Sequence, residues 1–400
     1  MPRIVIAGAG IGGLTAALAL LRAGIDVVVC EQAAELHEVG AGVQLSANGT
    51  RILAALGVLD AVQALACEPE GKEIRLWNTG RTWKLFDLGA VSVERWGFPY
   101  LTVHRGDLHR VLVEAVRARG PQAIRLDARV IGFDEDAAGV AIALESGARL
   151  EGDALIGADG IHSVVRRRLF GEARAEFTGI MAWRGLVPMD RLPARLRRPV
   201  GTNWVGPGGH VVHYPLRRGE IMNFVGIVER DDWRGESWTD RGTVAECAGD
   251  FQGWHDDVHE LIRNVDVPYK WALLGREPLP HWSSARVSLL GDACHPTLPM
   301  LAQGANMAIE DGCVLARCLD GTGPDLPAAL ARYEGARHDR TARIVRGSAE
   351  NARRFHNPAL ATAAGAQRYI DAEWREDRIE ERYGWLFEYD ATSAPIGAGR

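Results

Sequence analysis

Lysine is nearly missing from this chain: of its 46 basic residues only Lys72, Lys84 and Lys270 are lysines. The arginine excess reads as codon bias, because no extended basic run accompanies it and no nucleic-acid patch is implied. Metal-ligand spacing is missing too. The six cysteines Cys30, Cys67, Cys247, Cys294, Cys313 and Cys318 are scattered, with no C-x-x-C and no Cys/His cluster at zinc spacing, so reduced structural thiols and no metal site are expected. No apolar stretch reaches the ~20 residues of a membrane span; the longest, Ile4 to Leu21, is broken by Gly8, Gly10, Gly12 and Gly13. Met-Pro-Arg leads straight into it without the layout of a secretory leader, so a cytoplasmic protein is expected, with no membrane partner.

What is present is an ordinary globular composition of 47% apolar and 24% charged residues, with 46 basic against 52 acidic giving a net charge of −6. Its 400 residues correspond to ~2.7 domains at about 150 each, hence two or three domains or one large α/β unit with a second layer. Glycine is in excess, 46 residues where roughly 28 are expected at ~7%.

Residues 3–31 read as a βαβ unit: a strand Arg3 to Ala7, a glycine turn, a helix Leu14 to Ala23 closed by Gly24, and a strand Asp26 to Cys30. A helix is predicted over Asn48 to Leu65, β-like alternation over Glu73 to Leu88, and a helix over Asp107 to Arg119. Further strands fill 122–158, and short strands rich in Trp, Val, Tyr and Gly run from Phe177 to Val228, the mark of an antiparallel sheet. A strand at Val287 to Leu290, helices from Asn306 to Leu319 and Pro327 to Phe355, and a last helix around Ala372 to Tyr389 close the chain. Arg332, Arg337, Arg340, Arg343 and Arg346 recur on one of these helices and read as a solvated face.

Gly8-Ala9-Gly10-Ile11-Gly12-Gly13 matches G-x-G-x-x-G between a strand and a helix. Gly8 permits the turn, Gly10 lets backbone approach a pyrophosphate, Gly13 lets helix and strand pack, and the helix N-terminus offers N–H groups to the anion. Glu31, at the end of the second strand, can accept ribose hydroxyls. A dinucleotide site follows, NAD or FAD. Gly157-Ala158-Asp159-Gly160 and Gly291-Asp292-Ala293-Cys294-His295-Pro296 each follow another strand, and Gln303-Gly304-Ala305-Asn306 opens a helix that could hold a second polar group.

With these three loops in order, the chain resembles the flavin-dependent aromatic hydroxylases of the para-hydroxybenzoate hydroxylase type from residue 3 to about 350. The resemblance implies an α/β protein with a Rossmann-like FAD-binding domain (1–72, 97–175 and 276–355), an interleaved antiparallel-sheet substrate domain (73–96 and 176–275) and a helical C-terminal tail (356–400). It implies that Gly8, Gly10, Gly13, Glu31 and Gln32 bind the ADP part of FAD and that Arg105 reaches the cofactor. Asp159 would serve FAD and the transient NADH or NADPH, Asp292 the ribitol or ribose, and Pro299, Gly304, Ala305 and Asn306 the pyrophosphate and isoalloxazine. The activity implied is hydroxylation of a small phenolic acid with NAD(P)H and O2 through a flavin hydroperoxide, by a monomer or homodimer. Gly40 to Leu45, His210 to Pro215 and Ala302 to Ala305 are similar to salicylate and 3-hydroxybenzoate hydroxylases. Met307 to Asp311 and Trp385 to Asp390 are similar to the 6-hydroxynicotinate enzyme, in which a histidine stands where Gln44 is here. A monohydroxybenzoate is therefore the expected substrate and an N-heteroaromatic acid the alternative. An NAD-dependent dehydrogenase would share only the first glycine loop, and a non-catalytic flavoprotein would show no ligand-stimulated NADH oxidation.

Such a reaction needs an electron-rich ring. Ionising a phenol of pKa ~10 at neutral pH costs about 3 units, roughly 4 kcal/mol, so a base within hydrogen-bond reach is required. His213 is the expected base, with Gln303 as its amide partner and Tyr214 ranked below it because a strand neighbour faces the other way; His210, His295 and His104 are the other histidines in view. Gln44, Trp183, Trp204, Phe224 and Met300 are expected to form the ring slot, and Arg184 is the one candidate for a carboxylate counter-ion.

Overall fold

The structure, a computed structural model, describes residues 2–36, 41–172, 175–230, 232, 240–321 and 325–397; Gly40 lies outside them. Five parallel strands form one sheet in the order Val287–Leu289, Ala154–Gly157, Arg3–Ala7, Asp26–Cys30, Ile124–Arg125. The first four are short, largely aliphatic or β-branched runs buried on both faces, as the central strands of a parallel sheet must be, while the edge strand Ile124–Arg125 is not buried. Helix Ile11–Arg22 packs between Arg105–Arg119 and Gly304–Leu319 over this sheet. The carboxyl ends of the first, second and third of these strands carry the three loops singled out above, so one edge of the sheet collects Gly8, Asp159 and Asp292.

A second, seven-stranded sheet runs Tyr269–Gly275, Glu176–Pro188, Ile221–Glu229, Gly209–Leu216, Val200–Gly206, Gly71–Leu76, Thr82–Asp87. It is antiparallel except where Gly71–Leu76 joins Val200–Gly206 in parallel. One face packs on the helices Val244–Asp250 and Asp256–Arg263 through Trp183, Trp204, Phe224, Phe251 and Leu261, all buried. The other face looks toward the cofactor loops. Two small sheets, Gly42–Leu45 with Leu101–His104 and a three-stranded meander over Val130–Gly152, complete the strands.

The helix expected over Asn48 to Leu65 is two, Ala47–Ala55 and Leu59–Gln63, parted at Gly57 with φ 75°. The last helix is also two, Ala363–Glu373 and Glu376–Glu388. They return to the far edge of the seven-stranded sheet, where Phe387 meets the rings of Trp96, Phe86 and Tyr100 and Tyr383 meets Phe86. The solvated arginine face expected on the Leu326–Phe355 helix holds only in part, at the exposed Arg343 and Arg346. Arg337 is fully buried and Arg340 nearly so, both turned onto Glu310, while Arg343 lies over Trp385. Among the described residues no helix is long and apolar enough to cross a membrane.

Candidate active site

A single cavity of about 790 Å³ runs from the first glycine loop to the inner face of the seven-stranded sheet. At its loop end the N-termini of two long helices, Ile11–Arg22 and Gly304–Leu319, open without side-chain caps. Their first N–H groups therefore have no intrahelical partner and face an anion-sized space. A Cβ on Gly10 would meet nothing within 4 Å, so the approach to this backbone is open. Gly8, at φ 103°, sits where a Cβ would come within 2.5 Å of the Ala158 carbonyl oxygen, and a Cβ on Gly13 would strike the Gly8 carbonyl. Gly13 thus packs the loop and does not line the cavity.

Glu31 accepts from the Ala9 N–H at 2.8 Å and the Ala33 N–H at 2.9 Å, which fixes its carboxylate beside the glycine loop with lone pairs left for hydroxyls. Gln32, Arg105, Pro299, Met300, Gly304 and Ala305 also line the cavity. Asp292 presents its carboxylate to the same space; burial pushes its pKa up, opposed by His295 and Arg105. Asp159 lines the cavity as well, but its oxygens accept from the Ser163 hydroxyl and the Val164 and Val165 N–H groups, so it caps the helix Val164–Phe170. Asn306 is buried behind the loop, tying the Ser46 N–H and the Gln44 and Ala302 carbonyls together. The uncapped helix ends, the acidic strand terminus and the length of the cavity fit a dinucleotide. Among the described residues no group of three or more His, Cys, Asp or Glu could hold a metal ion.

The sheet end departs from the expectations. Along Gly209–Leu216, His210, Val212 and Tyr214 face the cavity, and His213 faces the other way, toward Thr202 and Phe224. Burial drives the His213 pKa down to about 3, and neither ring nitrogen has a hydrogen-bond partner, so His213 is a core residue and not the base. The same pleat places Trp183, Trp204 and Phe224 on the outer face: Trp183 donates to Asp250 at 2.7 Å and Trp204 stacks on His255. These three are core and not the ring slot. Gln303 also leaves the proposed chemistry, since its amide donates to the Ser46 hydroxyl and accepts from Asn48. His213→Ala is expected to cost roughly 0.5–3 kcal/mol of stability with turnover per folded enzyme unchanged. A turnover loss beyond tenfold in that variant would return His213 to the site.

His210 is what the sequence reading passed over. Its Nδ1 is 2.7 Å from His356 Nε2, and His356 Nδ1 is 2.8 Å from Glu229 Oε1. Hydrogen-bond logic then assigns the protons. An ionised Glu229 only accepts, so His356 Nδ1 carries a proton; neutral His356 Nε2 must accept, so His210 Nδ1 donates. The His210 Nε2 is left as a lone-pair nitrogen on a ring that lines the cavity. Burial holds the pKa values of both histidines below their ordinary value. Glu229 ends the chain at the surface with 55% of its side chain exposed.

Tyr214 stands on the same face as His210, four residues away or about 13 Å along the strand at ~3.3 Å per residue, a span that side chains from both ends and an aromatic ring can fill. Burial raises its pKa to about 12, with Gln44 as a hydrogen-bond partner. Gln44 Oε1 also accepts from Tyr100 at 2.7 Å, and a Cβ on Gly42 would come within 2.5 Å of the Tyr214 ring. Val225 and Ile227 supply apolar walls, and Arg184 lies 4.2 Å over the Trp271 ring.

With this geometry stand three comparisons with known proteins. A family model described as FAD binding domain matches residues 2–348. The chain is 40% identical over 397 residues to a 3-amino-4-hydroxybenzoate 2-monooxygenase of Streptomyces platensis, covering 99% of this chain and 98% of that one. It is 37% identical over 392 residues to a 3-hydroxybenzoate 6-hydroxylase of Polaromonas naphthalenivorans, covering 97% and 96%. Among solved structures it is similar to Klebsiella pneumoniae HpxO in complex with FAD and uric acid, with a TM-score of 0.82, 30% identity, and 99% and 98% of the two chains covered.

Proposed function

From the premise that this chain belongs to the FAD-binding family of flavin-dependent aromatic hydroxylases, we propose that it hydroxylates a hydroxybenzoate, with His210 taking the phenol proton. The observation that carries the proposal is the ordered chain His210, His356, Glu229, which leaves one unprotonated nitrogen facing the cavity and ends in water. Bound FAD supplies the redox and oxygen chemistry, drawing electrons from NADH or NADPH. The protein's part is to hold the ring against the inner sheet face, exclude water and ionise the phenol.

A phenol proton moves to His210 Nε2, the Nδ1 proton moves on to His356 Nε2, and the His356 Nδ1 proton moves to Glu229. Burial disfavours an imidazolium at either histidine, so the pair serves to pass the proton and not to store it. Tyr214 and Gln44 form a second polar pole beyond the ring. Gly8, Gly10, Glu31, Gln32, Arg105, Asp292, Pro299, Gly304 and Ala305, which line the cavity, would hold FAD, with Gly13, Asp159 and Asn306 shaping those loops. The unpaired state of all six cysteines suits a reducing, cytoplasmic setting, where a monomer or homodimer would act.

A panel of salicylate, 3-hydroxybenzoate, 4-hydroxybenzoate, 3-amino-4-hydroxybenzoate and 6-hydroxynicotinate, scored for stimulated NAD(P)H oxidation with the product identified, tests the reading. One hydroxybenzoate should be converted with one added oxygen. A preference for 6-hydroxynicotinate would move the assignment to N-heteroaromatic acids, and stimulation without an oxygenated product would contradict it.

A further inference from the structure

Lys72 is the one lysine turned inward. Lys84 is exposed and paired with Asp87, and Lys270 is paired with Glu246. Lys72 lines the cavity. Its strand position is opposite Gly201, where a Cβ would sit 3.3 Å from Lys72 Cγ and 3.6 Å from its Cε, so the glycine clears a channel for the lysine stem. The strand beyond Gly201, two over from Lys72, carries Tyr214 on the same face. The ammonium lies 5.0 Å from the Tyr100 ring centre and 5.8 Å from that of Phe86. Tyr383 and Phe387 close this corner from the C-terminal helix.

Among the described residues no carboxylate pairs with this amine. Burial alone pulls its pKa down to about 7, and the titratable groups around it, Tyr100, Tyr214 and Tyr383, are all held neutral with raised pKa values. A buried cation without a counter-ion is costly, and the arrangement is satisfied when a ligand brings the anion. Arg184 approaches Tyr214 from the opposite side, two strands from it as Lys72 is, and is engaged on the Trp271 ring.

We propose that Lys72 binds the substrate carboxylate and makes the enzyme selective for aromatic acids over neutral phenols. The proposal rests on the hydroxybenzoate reading and deepens it. The carboxylate would sit at the Lys72, Tyr214 and Gln44 pole, with the phenol toward His210. An ammonium-carboxylate contact in this desolvated corner also raises the lysine pKa on binding, so above pH 7 an acid should bind with uptake of a proton.

The test uses FAD-loaded protein, with benzoate and benzamide as unreactive probes followed by the flavin absorbance change. The parent should prefer benzoate, and Lys72→Met should lose about ten- to a hundredfold in benzoate affinity, the worth of a charge-assisted hydrogen bond, with benzamide unaffected. Lys72→Arg should keep the preference, which separates charge from packing. Calorimetry at pH 8 in two buffers should show proton uptake with benzoate for the parent and none for Lys72→Met. Equal benzoate affinity in parent and Lys72→Met overturns the proposal while leaving the hydroxylase reading intact if the panel is turned over. Failure of the parent to bind either probe, together with no panel substrate converted, overturns both.

Discussion

Replacing His210 by Ala should slow ring hydroxylation by roughly two to four orders of magnitude, the usual worth of a positioned base, with FAD still bound. Without it a phenol of pKa ~10 must reach its reactive form unaided, which costs roughly 4 kcal/mol at pH 7. The rate of the variant should therefore climb with pH toward ~10, where the parent is already level. Added imidazole, small enough for the vacated space beside Phe355, should restore part of the rate. Glu229→Gln should give a weaker loss, because an exposed carboxylate is replaced by water as proton acceptor. A rate for His210→Ala within tenfold of the parent, with a flat pH profile, would remove the base assignment.

Replacing Arg337 by Leu should cost about 3–5 kcal/mol of unfolding free energy, the expected penalty for leaving buried charge without its partner. Arg337 donates to Asp311 and Glu310 at 2.7 Å each. Asp311 also meets His295 Nε2 at 2.6 Å and the Gly291 N–H at 3.1 Å, so this cluster anchors the loop that carries Asp292. Glu310 is held further by Arg340 and Asn48. Burial pushes Asp311 upward, but His295 and Arg337 outweigh it and bring its pKa from 3.8 to about 2. The folded-state value is the depressed one, so this group contributes stability above pH ~4 that is lost as pH falls toward 2. In Arg337→Leu that acid limb should begin at higher pH, and FAD affinity should fall with the loosened loop. Urea unfolding with matched m-values checks the first part, and FAD retention on dilution checks the second. An unchanged midpoint would mean that the cluster relaxes without Arg337.

Much of the cofactor end was legible because its signals are local. A strand, glycines at set offsets and an acidic strand end lie within 31 residues, and their order in the chain is their order in space. The substrate end was not, for a physical reason visible in Gly209–Leu216. His210, Val211, His213 and Tyr214 are all buried, so no polar alternation marks which face meets the ligand. Choosing the wrong face of the strand then exchanged His213 for His210 and placed Trp183, Trp204 and Phe224 in the site. The partners of His210 are 146 and 127 residues apart in successive links, beyond any sequence pattern. The buried role of Arg337 was hidden by arginines on the same helix that do face outward. Lys72 did leave a signal. In a chain whose cations are arginines, a lysine within a β-like alternation of Ile74, Leu76 and Phe86 stands out once arginine is recognised as the default.

The central claim is that His210 Nε2 takes the phenol proton, and the absorbance of bound substrate tests it without turnover. A converted hydroxybenzoate is titrated on the oxidised, FAD-loaded parent and on His210→Ala, and the phenolate band is followed against pH. The bound phenol of the parent should ionise well below the free value of ~10, and in His210→Ala its transition should return toward that value. Superimposable phenolate titrations in the two proteins would contradict the account.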